Sequence, residues 1–186
     1  MKEGGGVFMD TQERRALLLE ALKQAKCPLT GGYLSKKFNV SRQIIVGDIS
    51  VIRAGGVTVY ATPRGYVLPE DEEIHGIVGI IACKHGSDMM RRELEIIVDN
   101  GGYVRDVIVE HPLYGEIRAD LMLRNRHDVE VFDNRMKECD GMPLSIVTQG
   151  VHLHTIEVPD QDSLDRIKKK LREEGICANL SANNQK

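Results

Sequence analysis

The sequence predicts an α+β protein of two domains, an N-terminal winged helix-turn-helix and a C-terminal open-faced sandwich. Two observations predict this class. Three helical patterns and then two short strands fill the first seventy residues, and beyond them strands and helices alternate in the order β-α-β-β-α-β-α. Elements in that order pack as one sheet with helices on one face, which leaves the other face open.

The first three elements carry recognisable helix ends. Apolar residues at helical spacing follow Thr11, and Thr30 can cap a short second helix. Ser41 can cap a third helix, which ends at Gly55-Gly56. We expect this third helix to bury one stripe of isoleucines: Ile44, Ile45, Ile49 and Ile52.

The third helix has polar residues in its first turn, where a recognition helix meets base edges. Arg42 suits guanine and Gln43 suits adenine, while Ser41 and the free N–H groups of this helix end suit a phosphate. Two strands about a Pro-Arg-Gly turn then predict a wing with Arg64 at its tip. The pattern favours DNA binding over its alternative, a three-helix module that is structural or binds protein.

Charge and composition set the domain limits. Residues 1–70 contain ten Lys and Arg against six Asp and Glu, whereas residues 71–186 contain fifteen against twenty-two, so only the first part attracts a polyanion. The Pro-containing, acidic stretch LPEDEEIHG predicts the boundary. The expected parts are a disordered start, a winged helix-turn-helix, a regulatory domain and a tail, over residues 1–10, 11–70, 71–178 and 179–186.

The cysteines and the apolar runs predict a cytoplasmic protein. No apolar run reaches the length of a membrane span, and no signal peptide opens the sequence. The four cysteines are far apart and form no CxxC pair, so we expect reduced, small core residues. A glycine-rich phosphate loop, a catalytic triad and a nucleophile motif are also absent from the sequence, which indicates a regulator and not an enzyme.

The C-terminal domain contains a set of candidate metal ligands. His152 and His154 are two positions apart in a strand, so their side chains share a face. His85 ends the first strand, and Glu93 falls on the apolar face of the next helix, where an unpaired carboxylate is costly. Three imidazoles and one carboxylate suit one divalent transition metal, such as Zn, Ni, Fe or Mn.

Each candidate ligand also has a structural alternative. The histidine pair would suit a polar patch on an exposed sheet face. Glu93 would suit a salt bridge to a neighbouring arginine, and His85 would suit a cap at the end of its strand. The four groups together favour the metal.

Five segments of the chain resemble niacin-responsive transcriptional repressors of bacteria: NVSRQIIV, ATPRGYVL, ACKH, VIVEHPLYGEIR and GVHLHTIEVPD. Those repressors join a helix-turn-helix to a three-histidine (3H) domain, and the resemblance covers about residues 11–178. It implies an open-faced sandwich similar to the phosphocarrier HPr and a homodimer on double-stranded operator DNA. It also implies metal ligands at His85, Glu93, His152 and His154.

The resemblance further implies an effector. Nicotinic acid or nicotinamide would be the co-repressor of genes for NAD biosynthesis or niacin uptake. A bound metal with an open position can accept a pyridine nitrogen or a carboxylate, and four residues are candidates to orient or hold the ligand: Arg105, His111, Tyr114 and Arg118. Two other functions stay open, a regulator that senses the metal itself and a metalloenzyme domain fused to a DNA-binding module.

Overall fold

The structure is a computed structural model that describes residues 10–69 and 76–178. These residues form two compact units, one on either side of the gap. The start of the chain, the tail and most of the acidic linker, with His75, lie outside the described residues. No helix in the two described ranges is long and apolar enough to cross a membrane.

The N-terminal unit has the predicted three helices and two antiparallel strands: α1 (Thr11–Gln24), α2 (Gly31–Lys37), α3 (Arg42–Ala54), β1 (Tyr60–Thr62) and β2 (Gly65–Val67). Two predicted caps are confirmed. The Thr30 Oγ1 atom accepts the N–H of Tyr33, and the Ser41 Oγ atom accepts the N–H of Ile44. These bonds satisfy N–H groups that the first turns of α2 and α3 leave without helical partners.

Helix α3 packs on α1 and α2 around one apolar core: Leu18, Leu22, Leu34, Phe38, Ile45, Ile49, Ile52 and Val59. The predicted isoleucine stripe is wrong at one position, because Ile44 is 42 % exposed and Asp48 is buried instead. Asp48 accepts hydrogen bonds from Arg14 and Arg15 of α1 at 2.6 and 2.9 Å. These two ion pairs compensate the loss of water around the buried carboxylate.

The C-terminal unit has the predicted β-α-β-β-α-β-α order: β3 (Ile77–Lys84), α4 (Met90–Asp99), β4 (Tyr103–His111), β5 (Gly115–Leu123), α5 (Arg126–Glu138), β6 (Val151–Val158) and α6 (Gln161–Glu173). Short 3₁₀ turns cover Ser87–Met89 and Leu144–Thr148. The strands form one antiparallel sheet in the order β3-β6-β4-β5.

The three helices of this unit cover one face of the sheet. Side chains from α4, α5 and α6 join strand residues such as Ile81, Val104 and Ile156 in one core. The other face carries exposed apolar residues: Val78, Ile80 and Val151. The predicted open-faced sandwich of sheet and helices is therefore confirmed.

Candidate metal centre and DNA-binding surface

Three histidines surround one carboxylate between the sheet and helix α4. Strand β6 places His152 and His154 on its helix-covered face, where they are 4 % and 3 % exposed. The alternative of a polar patch on an exposed sheet face is therefore wrong. Glu93 reaches this face from α4, and His85 follows the end of β3. The partners of Glu93 are the three histidines, so the alternative of an arginine salt bridge is also wrong.

All three imidazoles direct Nε2 at the Glu93 carboxylate. The Nε2 atoms of His85 and His152 lie 2.7 and 3.2 Å from Oε2, and Nε2 of His154 lies 3.4 Å from Oε1. Glu93 is completely buried, and its Oε1 atom has no hydrogen-bond partner within the described part of the chain. A buried carboxylate oxygen without such a partner is costly and calls for a cation or a proton donor.

Backbone carbonyls hold the other nitrogen, Nδ1, of every ring. The three carbonyls are those of Gly86, 2.7 Å from His85, Gly150, 2.9 Å from His152, and Asp106, 2.6 Å from His154. A carbonyl can only accept, so Nδ1 of each ring carries a proton. In a neutral ring Nε2 is then a free lone pair, which is how proteins orient histidines that bind metals.

The pKa values of the cluster show how strongly these groups interact. Burial raises the pKa of Glu93, but the charge of His154 and the hydrogen bonds of the histidines outweigh it and hold this pKa well below its ordinary value. Burial lowers the pKa of His85 and of His154, yet Glu93 outweighs it and leaves both values raised. The cluster without metal therefore gathers protons about the carboxylate.

Cys83 is a further donor, which the sequence analysis assigned only to the core. Its Sγ atom and ligand atoms of Glu93 and His152 lie within 4.8 Å of one another. Cys83 is paired with His152 across the β3–β6 ladder, a neighbour relation that strand spacing alone does not give. Burial raises the pKa of its thiol, so the thiol keeps its proton at neutral pH. The imidazoles are the readier metal ligands because an imidazolium releases its proton more easily than this buried thiol does.

A small chamber adjoins the histidines and Glu93. Its other walls are mostly apolar: Met90, Leu94, Val107, Leu121, Phe132, Met136, Pro143 and Leu144, with Ser145. Its volume of about 40 Å³ is enough for a few water molecules. An outer groove shares His85, Pro143 and Ser145 with the chamber and also touches Lys84 and Gln149.

The residues proposed to hold an effector do not form the walls of this chamber. His111 accepts the N–H groups of Leu113 and Tyr114 at Nδ1, within the turn that joins β4 to β5. The side chain of Tyr114 is 73 % exposed. Arg118 donates to the carboxylates of Asp106 and Glu116. Arg105, the other candidate, forms an ion pair with Glu157 at 2.6 Å.

The predicted DNA-binding residues of α3 lie together at its start. Ser41, Arg42 and Gln43 are exposed, as a base-reading helix end requires. The Arg42 guanidinium lies against Gly32 of α2, where an added Cβ would come within 3.2 Å of it. Exposed Ile44, which the sequence analysis had placed in the core, adds an apolar group beside Gln43.

The wing turn is held by the side chain of Thr62, whose hydroxyl also donates to the Gly65 carbonyl. The Arg64 N–H donates to Thr62 Oγ1, and the residue is half-buried, less extended than the tip position suggests. Gly65 has φ +137°, and a Cβ there would lie 2.5 Å from the Leu29 carbonyl oxygen. Only glycine fits this close approach between the wing and the chain before α2.

Comparison with known proteins agrees with the division of the chain into two units. The 3H domain family matches residues 78–180, and an HTH domain family matches residues 14–67. The chain is 42% identical over 165 residues to the probable transcription repressor NiaR of Thermotoga maritima. The aligned residues cover 89% of this chain and 93% of the relative. It is also 44% identical over 165 residues to the transcription repressor NadR of Bacillus subtilis. That alignment covers 88% of this chain and 92% of the relative.

The HTH and 3H family matches, with relatives that are named transcription repressors, define a DNA-binding transcription regulator. The chain belongs to the family of transcription repressors that combine an HTH domain with a 3H domain. The prediction of a regulator and not an enzyme is confirmed by what these relatives are named. A more distant match, 25% identical over 112 residues, covers 57% of this chain and 18% of an uncharacterised protein of Methanothermus fervidus.

Proposed function

We propose that this repressor binds one divalent transition metal in its 3H domain, and that nicotinic acid or nicotinamide completes the coordination and acts as co-repressor. The genes under its control would serve NAD biosynthesis or niacin uptake. One observation carries the proposal: three histidine Nε2 atoms and a fully buried carboxylate converge beside an apolar chamber.

His85, Glu93, His152 and His154 would hold the metal, which is Zn, Ni, Fe or Mn by the chemistry of these donors. Two features favour this use. Each Nδ1 is already occupied by a carbonyl, which leaves only Nε2 for a ligand bond. The Glu93 Oε1 atom also lacks a hydrogen-bond partner among the described residues, and a cation would satisfy it. When bound, the metal supplies a positive centre that can accept a further donor atom.

The chamber suits a small flat ring. Its walls offer Phe132 and apolar side chains to the faces of a pyridine, while its one end reaches the metal ligands. Its volume of about 40 Å³ holds a few waters, so entry of the ring requires its walls to move. Met90 and Met136 have flexible side chains suited to such adjustment. This movement lets the ligand favour one conformation of the protein. A ligand that binds two conformations equally well cannot change DNA affinity.

The N-terminal unit would read the operator. Arg42 and Gln43 would contact base edges, Ser41 and the helix end a phosphate, and exposed Ile44 a thymine methyl group. Arg64 would contact the DNA backbone from the wing. One such unit covers too little groove for tight specificity, so we infer a homodimer on an inverted repeat.

Exposed apolar residues of the open sheet face offer a place for a second copy. Val78, Ile80 and Val151 are 45 %, 60 % and 42 % exposed. Apolar side chains that gather on one exposed face are typical of interfaces. Ile80→Glu should therefore raise the dimer dissociation constant in sedimentation experiments. Met142→Glu is the matched control, because it makes the same kind of change at an exposed apolar residue after α5, outside the sheet.

A direct metal sensor is the second candidate function, since the metal cluster alone could respond to metal supply. Operator affinity decides between the two. It should be measured for the wild type with and without metal, in the presence and absence of nicotinic acid or nicotinamide. The proposal expects tight binding only with metal and ligand together, whereas a metal sensor would respond fully to metal alone.

The base-reading role of Arg42 has its own test. Arg42→Ala should weaken binding by about 1–3 kcal/mol on operator DNA and by less on random DNA.

A further inference from the structure

His154 is held by an irregular point in the sheet. Strand β4 takes four steps from Val104 to Ile108, whereas β6 takes three steps between their partners, Ile156 and Leu153. One extra residue is therefore accommodated in β4, as in a β-bulge. The carbonyl of Asp106 lies in this segment, and it accepts Nδ1 of His154 at 2.6 Å.

The side chain of Asp106 replaces a missing ladder bond. Its Oδ1 atom accepts the N–H of Thr155 at 3.0 Å, and its Oδ2 atom accepts Arg118 at 2.7 Å. Asp106 is only 4 % exposed, so these hydrogen bonds replace the water that burial removes from its carboxylate. The carboxylate thus ties the bulged segment of β4 to the residue that directly follows His154 in β6.

Arg118 acts from the opposite face of the sheet. It is paired with Ile108, and Ile108 is paired with Leu153, so these side chains share a face. Leu153 and His154 are consecutive in a strand, so their side chains point to opposite faces. Arg118 is half exposed on the open face, while the imidazole it serves is buried on the helix-covered face.

We propose that Asp106 and Arg118 are positioning residues, which orient the His154 ring for metal through the bulge. The inference rests on the proposed metal function. Without Arg118 the Asp106 carboxylate would lose this ion pair, turn towards water and release the Thr155 N–H. The carbonyl that fixes Nδ1 of His154 would then lose its anchor. Loss of a group that orients a metal-binding histidine typically weakens metal affinity by about 10–100-fold.

The test is a Co²⁺ titration of the full-length chain, followed by visible absorption, with thermal unfolding measured in parallel. Arg118→Met should weaken Co²⁺ binding about tenfold and change the ligand-field bands, which report the geometry of the ligands. Arg126→Met is the matched control because Arg126 also pairs with carboxylates, those of Asp99 and Glu95, from an exposed site on α5. This control should bind Co²⁺ as the wild type does. Asp106→Asn should retain more affinity than Asp106→Ala, since an amide oxygen can still accept the Thr155 N–H.

Two results would overturn the positioning role. One is an Arg118→Met protein with wild-type affinity and wild-type bands. The other is an equal loss in Arg118→Met and Arg126→Met together with a lower melting temperature, which would show a general effect of surface charge on stability. A wild-type chain that takes up no Co²⁺ would instead overturn the proposed metal function, so the two failures are distinguishable.

Discussion

Two buried carboxylates, one in each unit, show how different partners give the same burial different uses. Asp48 and Glu93 both lie on the inner face of a helix, 2 % and 0 % exposed. Asp48 is bound by Arg14 and Arg15, which remain charged at every physiological pH. Glu93 is bound by three histidines, which can release their protons. The first site is complete as it stands, whereas the second could exchange its protons for the proposed metal.

The hydrogen bonds support this contrast. Both oxygens of Asp48 accept hydrogen bonds from guanidinium groups, so neither oxygen is left unsatisfied. In Glu93 only Oε2 accepts hydrogen bonds from described residues, and the Oε1 atom is left facing His154. A buried acid therefore indicates a binding site only when its partners are themselves ligands and one of its atoms stays unsatisfied.

The largest expected effect is the loss of metal from the C-terminal unit. His154→Ala should weaken metal binding by more than about 100-fold, because a lost ligand costs more than a lost orienting group. His127→Ala removes an exposed histidine and should leave metal content near one per chain. Elemental analysis after dialysis measures both. Full metal retention and full niacin affinity in His154→Ala would make the histidine pair structural and remove the contrast with Asp48.

Replacement of Asp48 should act on stability alone. Asp48→Asn removes the charge between two arginines and should lower the free energy of unfolding by about 1.5–3 kcal/mol, the range for hydrogen bonds to charged groups. Glu20→Gln is the control, since Glu20 accepts a hydrogen bond from Gln24 on the exposed side of α1. Calorimetric unfolding detects the change. Unaltered unfolding, or altered metal content, would contradict a purely structural role for Asp48.

The two sites should also respond to pH in opposite directions. Burial raises the pKa of Asp48, but Arg14 and Arg15 outweigh it and leave the pKa below its ordinary 3.8. Its stabilisation is therefore present above that pH and is lost as pH falls through the lowered pKa. The pKa values of His85 and His154 are raised above the ordinary 6.5, so their stabilisation is complete below 6.5 and is lost as pH rises through the raised values.

Unfolding of the metal-free protein between pH 6 and 9 tests this difference. The transition of the C-terminal unit should fall in temperature as pH rises, and added metal should remove much of the dependence. The transition of the N-terminal unit should contain no contribution from Asp48 in this range. A metal-free C-terminal unit that gains stability with rising pH would contradict the proton-rich cluster.

Local pattern was enough to predict much of the fold and the candidate ligands. Strand alternation placed His152 and His154 on one face, and helical spacing placed Glu93 inward. The same reasoning failed for Asp48, because an isoleucine pattern cannot reveal that two arginines of another helix offset a buried charge. It also failed to link Arg118 to His154, since that link depends on strand register and a one-residue bulge.

The most direct measurement of the central claim is the X-ray absorption spectrum of the Zn²⁺-loaded chain, with and without nicotinic acid. Zinc should show nitrogen and oxygen neighbours at about 2.0–2.2 Å, with imidazole scattering from three histidines. Nicotinic acid should add one light donor atom to that set. A sulfur neighbour at about 2.3 Å would mean that Cys83 binds the metal, and a spectrum without histidine scattering would place the metal away from Glu93. Either result would contradict the account.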